Sequence, residues 1–240
     1  MVLAGVIVNT IAIIVGGLLG QVFTNIKQET KDTIMKAIAV AILVLGLNMA
    51  LKGVQSEYFL IVLFSLVLGG VWGEWAELEK KLEKLGQWIE SKVGKKKKGN
   101  IAKAFVTTTL IYCIGAMAVI GALDSGLRMD HNVLYTKSFL DGFTAIIFSS
   151  TLGIGVVFSA IPVFLYQGIM ALGATYINQF VEPQLIERII EDITATGGIL
   201  IVGIALNMLE VTKLKVGNLL PSLLVAVLLT AAVYYIQLML

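Results

Sequence analysis

Two apolar segments of the chain each carry one asparagine at a matching place. Residues 41–51 read AILVLGLNMAL and contain Asn48, and residues 199–209 read ILIVGIALNML and contain Asn207. A carboxamide in an apolar helix either hydrogen-bonds a neighbouring helix or offers its oxygen to a cation or a polar solute. Both interpretations stay open, and the paired placement makes the two asparagines candidate residues of an ion or solute pathway.

Further uncharged oxygens lie between these two segments. Ser149, Ser150 and Thr151 stand directly before the glycines of residues 153–155, and Gln167 follows in the next apolar stretch. Three hydroxyls beside a glycine break are typical of an unwound segment that offers oxygens to an ion, and equally of a polar turn at the membrane surface. We include these four residues in the candidate pathway.

Two carboxylates belong to the densest polar cluster among the apolar segments, GALDSGLRMDHNVLYTKSFLDG. We expect Asp124 to end one helix and Asp141 to begin the next, so that both lie at one outer mouth. A helix dipole stabilises an anion at the N-terminus, and acidic groups around a vestibule attract cations. Capping together with ion pairs to Arg128 and Lys137 is the alternative, and it stays open for both aspartates.

Missing motifs exclude several classes of protein. The sequence has no Walker lysine loop, so ATP is not expected to drive it. It also has no Gly-x-Ser-x-Gly and no His/Glu metal motif. The one cysteine excludes an intramolecular disulfide, and the one histidine leaves little room for a His-rich metal site. We therefore predict no catalytic residue, no metal and no cofactor, and the net charge of +2 implies no nucleic-acid partner.

The composition predicts an all-α polytopic membrane protein. The chain is 58% hydrophobic and 14% charged, against about 45–50% and about 25% in soluble domains, and its mean hydropathy is +0.90. A span needs roughly 20 apolar residues. Eight stretches meet that length: 2–24, 35–53, 57–76, 101–123, 139–157, 160–180, 194–210 and 217–239. A seven-span arrangement, with one broken or re-entrant piece within residues 139–180, is the alternative.

The distribution of charge predicts the orientation. Lysines crowd residues 80–103, which places the loop at 77–100 in the cytoplasm. Both chain termini then lie outside. The acidic segment 181–193 also lies outside, as a separate helix that does not span, and Glu182 with Pro183 is a good entry to it. Within residues 75–89, apolar residues form a helical stripe, namely Trp75, Leu78, Leu82, Leu85 and Ile89. This stripe predicts an interfacial helix or, alternatively, a helix that pairs with its own copy.

The order of features along the chain also predicts an inverted repeat. Spans one to three and six to eight share a first apolar span, a polar connector, an Asn-bearing span and one further span. The offset of five spans is odd, so the two copies must cross the bilayer in opposite directions, as in many secondary transporters. The expected organisation is a first repeat at 1–76, the cytoplasmic segment at 77–100, central helices at 101–157 and a second repeat at 158–240.

Two stretches also carry a family resemblance. GALDSGL at residues 121–127 and TKSFLDGFTAIIFSSTLGIGVVFSAIPVFLYQG at residues 136–168 resemble the uncharacterised prokaryotic YdfK/YqgA-like membrane protein family, domain of unknown function 554. The resemblance extends over the whole chain. It implies a multi-pass protein of a prokaryotic plasma (inner) membrane. It marks Asp124, Asp141 and residues 149–155 as motif positions without a known role.

These observations together favour a transporter or channel for an ion or a small polar solute. The bilayer and the solute are the expected partners, and eight short helices favour a homo-oligomer. The alternative function is a membrane scaffold or signalling subunit that docks a partner through the helix within residues 75–98. No nucleophile–base pair is visible, so we do not expect an enzyme.

Overall fold

A computed structural model describes residues 1–23, 27–54, 59–93, 100–114 and 116–239. The run of lysines at positions 95–98 therefore lies outside the described residues. All regular elements in the described ranges are helical. They are α1 (Ala4–Val22), α2 (Gln28–Val54), α3 (Phe59–Trp75), α4 (Leu78–Val93), α5 (Asn100–Cys113), α6 (Ala116–Leu127), α7 (Asn132–Leu152), α8 (Gly155–Phe158), α9 (Ala160–Phe180), α10 (Pro183–Met208), a 3₁₀ helix (Val216–Leu219) and α11 (Pro221–Met239).

The structure contains helices that can cross a membrane, although the eight-span count is not confirmed. Five described segments are long and apolar enough: Ala4–Val22, Asp32–Leu51, Gly155–Ile177, Pro183–Met208 and Val216–Met239. Two bent helix pairs raise the number to at most seven, if each pair is counted as one span. Helix α7 is not among these spans, because Lys137, Asp141 and several hydroxyl residues lower its hydropathy.

Three sequence predictions of local structure need correction. The predicted span at 101–123 is not one helix, because α5 and α6 meet at a bend of 60°. The acidic segment after position 182 is not a separate helix, since α10 continues from it without a break. The stripe at 75–89 is divided, because Trp75 ends α3 and α4 begins only at Leu78. The side chains of Leu85 and Ile89 lie outside the described set.

Two other local predictions are confirmed. The chain breaks at Gly153, whose φ of +96° is a conformation that L side chains rarely adopt. Residues 139–180 are therefore divided at this glycine between α7, which ends before it, and α8 and α9, which follow it. Pro183 is the first residue of α10, with Glu182 as the N-cap, because a proline at that position removes only an N–H group that has no partner in the helix.

The helices form two compact units. Unit 1 contains Met1–Met35, Leu82–Cys113 and Met117–Gln179, and unit 2 contains Lys36–Lys81, Ile114–Ala116 and Phe180–Leu240. Each unit thus joins helices that are far apart in the sequence. The predicted four-part organisation follows the order of the chain, and it stays a prediction.

In unit 1, α1 and α7 run parallel and in close contact along their length. Gly5 lies against Leu134, Gly16 against the Gly142 carbonyl and Gly20 against the Ile146 carbonyl. A Cβ atom at Gly16 or Gly20 would collide with backbone atoms of α7. Small residues of this kind let two membrane helices approach closely enough for extensive van der Waals contact.

Other helices of unit 1 complete the packing around this pair. Helices α8 and α9 run antiparallel to α1, since Gly17 lies against Val157 and Asn9 against Gln167. Helix α6 approaches α9 where Gly126 meets the Ala171 carbonyl. Helix α1 therefore contacts both α7 and α9, and the three helices meet near Asn9.

In unit 2, the main helix pairs are antiparallel. Gly69 of α3 lies against Ser222, and Gly73 lies against Asn218, which sits earlier in the chain. Helix α2 crosses α10 with Gly46 against Val202 and with Ala50 against Gly198. Unit 2 therefore contains two antiparallel pairs, α3 with α11 and α2 with α10, each held by glycine contacts.

The start of α4 is attached to the 3₁₀ helix of unit 2. The Glu79 N–H donates to Asn218 Oδ1 over 2.7 Å, and the Gly217 N–H donates to Glu79 Oε2 over 2.6 Å. Beside this contact Lys215 Nζ lies 2.5 Å from Glu74 Oε1. The hydrogen bond to the Glu74 carboxylate raises the pKa of Lys215 above its usual value. The first turn of α4 is therefore held in place by specific polar contacts.

Candidate functional site

Four polar side chains of unit 1 meet in the protein interior between α1, α7 and α9. We name Asn9, Lys137, Asp141 and Gln167 the amide–ion-pair cluster. Asn9 and Gln167 are fully buried, and Asp141 and Lys137 are 6% and 7% exposed. Buried polar groups are costly without partners, and ionisable residues inside membrane helices mark functional sites more often than other buried residues do.

An ion pair within α7 supplies the charges of the cluster. Lys137 Nζ lies 2.9 Å from Asp141 Oδ2 and 3.0 Å from Oδ1. The two residues are four apart, so they face the same side of the helix. Their opposite charges cancel, which is the condition under which two charges can stay buried. The ion pair that the sequence left open as an alternative for Asp141 is thus present.

The two amides connect this ion pair to α1 and α9. Asn9 Nδ2 donates to Asp141 Oδ2 over 3.1 Å and to Gln167 Oε1 over 3.2 Å. Both acceptors are oxygens, so the contacts fix which way the Asn9 amide points. Asn9 Oδ1 and Gln167 Nε2 are then buried without a hydrogen-bond partner in the part of the chain that the structure describes.

The unused amide atoms give the cluster a defined binding capacity. Leaving a buried donor or acceptor unsatisfied costs about 1–3 kcal/mol for each group. A ligand that donates to Asn9 Oδ1 and accepts from Gln167 Nε2 would remove both penalties. Each unused atom is therefore a point at which a ligand or a water molecule can form a hydrogen bond.

Asp141 does not lie where the sequence placed it. Helix α7 begins at Asn132, and Asp141 lies near its middle. Stabilisation by a helix N-terminus therefore does not apply to it. Asp124 lies in the last turn of α6, with its Oδ1 3.9 Å from Arg128. The two carboxylates have separate partners, Arg128 and Lys137, and no contact joins one carboxylate to the other in the described residues. The predicted outer mouth lined by both aspartates is therefore not seen in these contacts.

Ser149 joins α1 to α7. Its hydroxyl donates to the Gly17 carbonyl over 2.6 Å. Gln21 Nε2 donates to the Ser149 carbonyl over 2.8 Å and to its hydroxyl oxygen over 2.7 Å. These bonds cross the close α1–α7 contact, so the serine helps to hold the two helices in register.

Ser150 and Thr151 bond to their own helix. The Ser150 hydroxyl donates to the Ile147 carbonyl over 2.8 Å, and the Thr151 hydroxyl lies 3.0 Å from the same carbonyl. The unwound segment that the sequence left open at 149–151 is not formed, because α7 stays helical to Leu152. Hydroxyls that bond back to the preceding turn are common within membrane helices.

The two asparagines that matched in the sequence have different surroundings. Asn207 Nδ2 donates to the Leu214 carbonyl over 2.7 Å, and its Oδ1 accepts from the Leu214 N–H over 2.9 Å and from Thr212. It thus closes the loop that follows α10. Asn48 is exposed on α2. Neither residue belongs to the amide–ion-pair cluster.

Comparison with known proteins identifies the family. The model of the family described as "Protein of unknown function (DUF554)" matches residues 4–231. This chain belongs to that family. The resemblance seen in the 121–127 and 136–168 stretches is therefore confirmed. No solved structure matches the chain.

Two relatives are similar over almost their full length. One is the "Uncharacterized membrane protein YdfK" of Bacillus subtilis (strain 168), which is 36% identical over 92% of this chain and 93% of the relative. The other is the "Uncharacterized protein YqgA" of Escherichia coli (strain K12), which is 28% identical over 95% of this chain and 96% of the relative. These findings agree with a membrane protein.

Sequence reasoning selected Asp141 and Gln167 but not Asn9 or Lys137. A signal was present for Asn9, since it is a carboxamide inside an apolar span just as Asn48 is. Lys137 was considered only as a partner of Asp141. What the sequence did not contain was the packing of α1 between α7 and α9, which decides which polar residues meet.

Proposed function

We propose that the protein is a membrane transporter or channel for a small polar solute, not driven by ATP, and that the amide–ion-pair cluster is its binding site. The observation that carries the proposal is the pair of unsatisfied amide atoms, Asn9 Oδ1 and Gln167 Nε2, beside a buried ion pair. A purely structural network would be expected to satisfy its own buried groups.

The balance of charge favours a polar solute over a bare cation. Lys137 already neutralises Asp141, so the cluster offers no net negative charge to a metal ion. A molecule with both a donor and an acceptor gains two hydrogen bonds from the amides and can also approach the ion pair. Small uncharged or zwitterionic solutes have that chemistry.

Eight crossings of a plasma membrane, with both termini outside, form part of the proposal. Helix α7 lies parallel to α1 from Gly5 to Gly20, so it covers the same depth as a helix that can span. Alternating crossings require the first and fifth spans to be parallel, as α1 and α7 are. They also require the first and sixth, second and seventh, and third and eighth to be antiparallel. The pairs α1–α9, α2–α10 and α3–α11 have those directions.

The same three pairs support an inverted repeat. Each pair joins a helix of the first proposed repeat to its counterpart in the second, and each is antiparallel within its own unit. Two copies related by an axis in the membrane plane would pack in this way. Cysteines introduced at positions 28 and 184 of a Cys113→Ser protein should therefore react with impermeant reagents from opposite faces. Reaction of both from one face would contradict the repeat.

A flux measurement tests the proposed function. The purified protein in liposomes should increase the permeability to at least one probe of a panel: glycerol, urea, glycine, sodium, potassium or protons. Asn9→Leu and Gln167→Met should each reduce that flux about tenfold, which corresponds to the loss of roughly 1.4 kcal/mol of solute binding. Glycerol, urea or glycine are the expected solutes.

Ser150→Ala is the matched control, because its hydroxyl bonds only within α7. This variant should retain the flux of the natural protein. Equal flux in Asn9→Leu, Gln167→Met and Ser150→Ala would remove the cluster from the pathway. Permeability equal to that of protein-free liposomes for every probe would contradict transport itself.

A further inference from the structure

A second buried aspartate lies in unit 2 and has different partners. Asp192 of α10 is 4% exposed. Among the described residues it forms no ion pair, since the ion pairs found there involve other carboxylates. A buried anion without a cation costs several kcal/mol, and such a group is normally neutralised by a proton. Whether Asp192 is ionised or protonated therefore depends on the hydrogen-bonding groups around its carboxyl.

The hydroxyl of Thr230 on α11 is the partner of Asp192. Thr230 Oγ1 lies 2.6 Å from Asp192 Oδ2 and 2.8 Å from the Ala226 carbonyl oxygen. A hydroxyl has one proton, and a carbonyl can only accept. Both contacts become full hydrogen bonds if Asp192 donates to Thr230 and Thr230 donates to Ala226. That chain requires a protonated Asp192.

Among the described side chains, no cation forms an ion pair with Asp192, although the positive charge of Arg188 does act on it. Arg188, one turn earlier on α10, donates to Gln237 over 2.9 Å and lies 5.2 Å above the Tyr234 ring, so its guanidinium contacts α11. Glu191 is adjacent to Asp192 in the sequence and adds negative charge. On α3, the buried polar residue is Ser65, which donates to its own helix.

Unused hydroxyls lie on the same part of α10. Thr196 is fully buried, four residues after Asp192 and therefore on the same helix face, and its hydroxyl has no partner among the described residues. Thr194, also on α10, and Ser222, at the start of α11, likewise have buried hydroxyls without partners in the described ranges. The Thr196 hydroxyl is thus an unused hydrogen-bonding group one turn from the Asp192 carboxyl.

We infer that Asp192 is a proton-binding site, which holds a proton at neutral pH through the Asp192–Thr230–Ala226 hydrogen-bond chain. Ionised Asp192 would lose this chain and leave an anion among hydroxyls, so proton binding and the packing of α10 on α11 are coupled. The inference concerns unit 2 only, and it does not rest on solute passage at the amide–ion-pair cluster.

Infrared spectroscopy of the full-length protein in detergent tests this site, with the spectrum of each variant subtracted from that of the natural protein. At pH 7 the natural protein should show the carbonyl band of a protonated, buried carboxylic acid. Asp192→Asn should lose that band, and Thr230→Val should shift its frequency, because the acceptor of the acid proton is gone. Asp124→Asn, which changes a carboxyl paired with Arg128, is the matched control and should retain the band.

Several outcomes would overturn the inference. One is the absence of such a band from the natural protein at pH 7. Another is a band that persists in Asp192→Asn, and a third is a band whose frequency Thr230→Val leaves unchanged. Loss of the band when sodium chloride replaces choline chloride at constant pH would show that a cation occupies the carboxylate. If Asp192→Asn does not fold, the natural protein and Thr230→Val still decide the question.

Discussion

Two buried aspartates, one in each unit, show how differently the same side chain can be accommodated. Asp141 on α7 has a lysine one turn away and accepts a hydrogen bond from an amide of α1. Asp192 on α10 has a threonine hydroxyl of α11 and no ion pair among the described residues. One is held as half of a charge pair, and the other is proposed to be held as a neutral acid.

The difference teaches that burial alone does not define the role of a carboxyl group. Removing one member of a buried ion pair leaves an uncompensated charge, which is strongly destabilising. Replacing a neutral acid with a neutral amide changes the charge of the folded protein very little. Substitutions that seem equivalent in the sequence should therefore have very different effects in the two units.

Lys137→Met is expected to have the largest effect. It would leave Asp141 as a buried anion, and breaking a buried ion pair costs about 3–5 kcal/mol. Thermal unfolding in detergent, followed by circular dichroism, should show a strong loss of stability. The double variant Lys137→Met with Asp141→Asn should recover part of that loss, because no charge then remains buried.

Lys103→Met on α5 is the control for this comparison, since Lys103 is exposed. It should change the free energy of unfolding by less than about 0.5 kcal/mol, as exposed substitutions usually do. If Lys137→Met were no more destabilising than Lys103→Met, the ion pair would not contribute to the stability of unit 1, and the contrast between the two aspartates would be lost.

Asp192→Asn is expected to have the smaller effect. An amide preserves the shape of the acid and can donate to Thr230, so the free energy of unfolding at pH 7 should change by less than about 1 kcal/mol. Asp141→Asn is the matched substitution in unit 1 and should cost about 3–5 kcal/mol, because it leaves Lys137 buried without its partner. The same unfolding measurement compares the two.

Equal losses of stability in the two Asp→Asn variants would break the distinction. Such a result would mean that Asp192 is charged in the folded protein and that its charge is stabilised as strongly as that of Asp141. A change of sign, with Asp192→Asn more stable than the natural protein, would sharpen it. It would show that the acid is retained at a cost to stability, as residues that serve a function often are.

Local features of the fold were predictable from the sequence. Pro183 at a helix start and Gly153 at a helix break depend on the backbone chemistry of single residues, so their neighbours could not change them. The apolar composition predicted membrane helices for a similarly local reason, since any stretch of roughly 20 apolar residues is long enough to span the hydrocarbon core of a bilayer. The bend between α5 and α6 was not predicted.

The candidate site was only partly predictable. Asp141 and Gln167 were selected for their residue type inside apolar segments, and the structure joins them through Asn9. Asn207 was selected by the same criterion, yet it closes a loop. Residue type shows that a polar group needs a partner, and it does not show which partner the fold supplies.

The sequence by itself determined that this is a helical membrane protein with carboxyl, amide and hydroxyl groups in its apolar segments, because hydropathy and residue type act locally. The pairing of Lys137 with Asp141, four residues apart on α7, was an alternative that the sequence left open. Only the tertiary structure decided that Asn9 joins Asp141 to Gln167 and that Asp192 faces Thr230. The contacts to Asn9 and Thr230 join positions far apart in the chain and arise from glycine-mediated or antiparallel helix packing. Such pairings are set by the shapes of whole helices, which no single segment encodes.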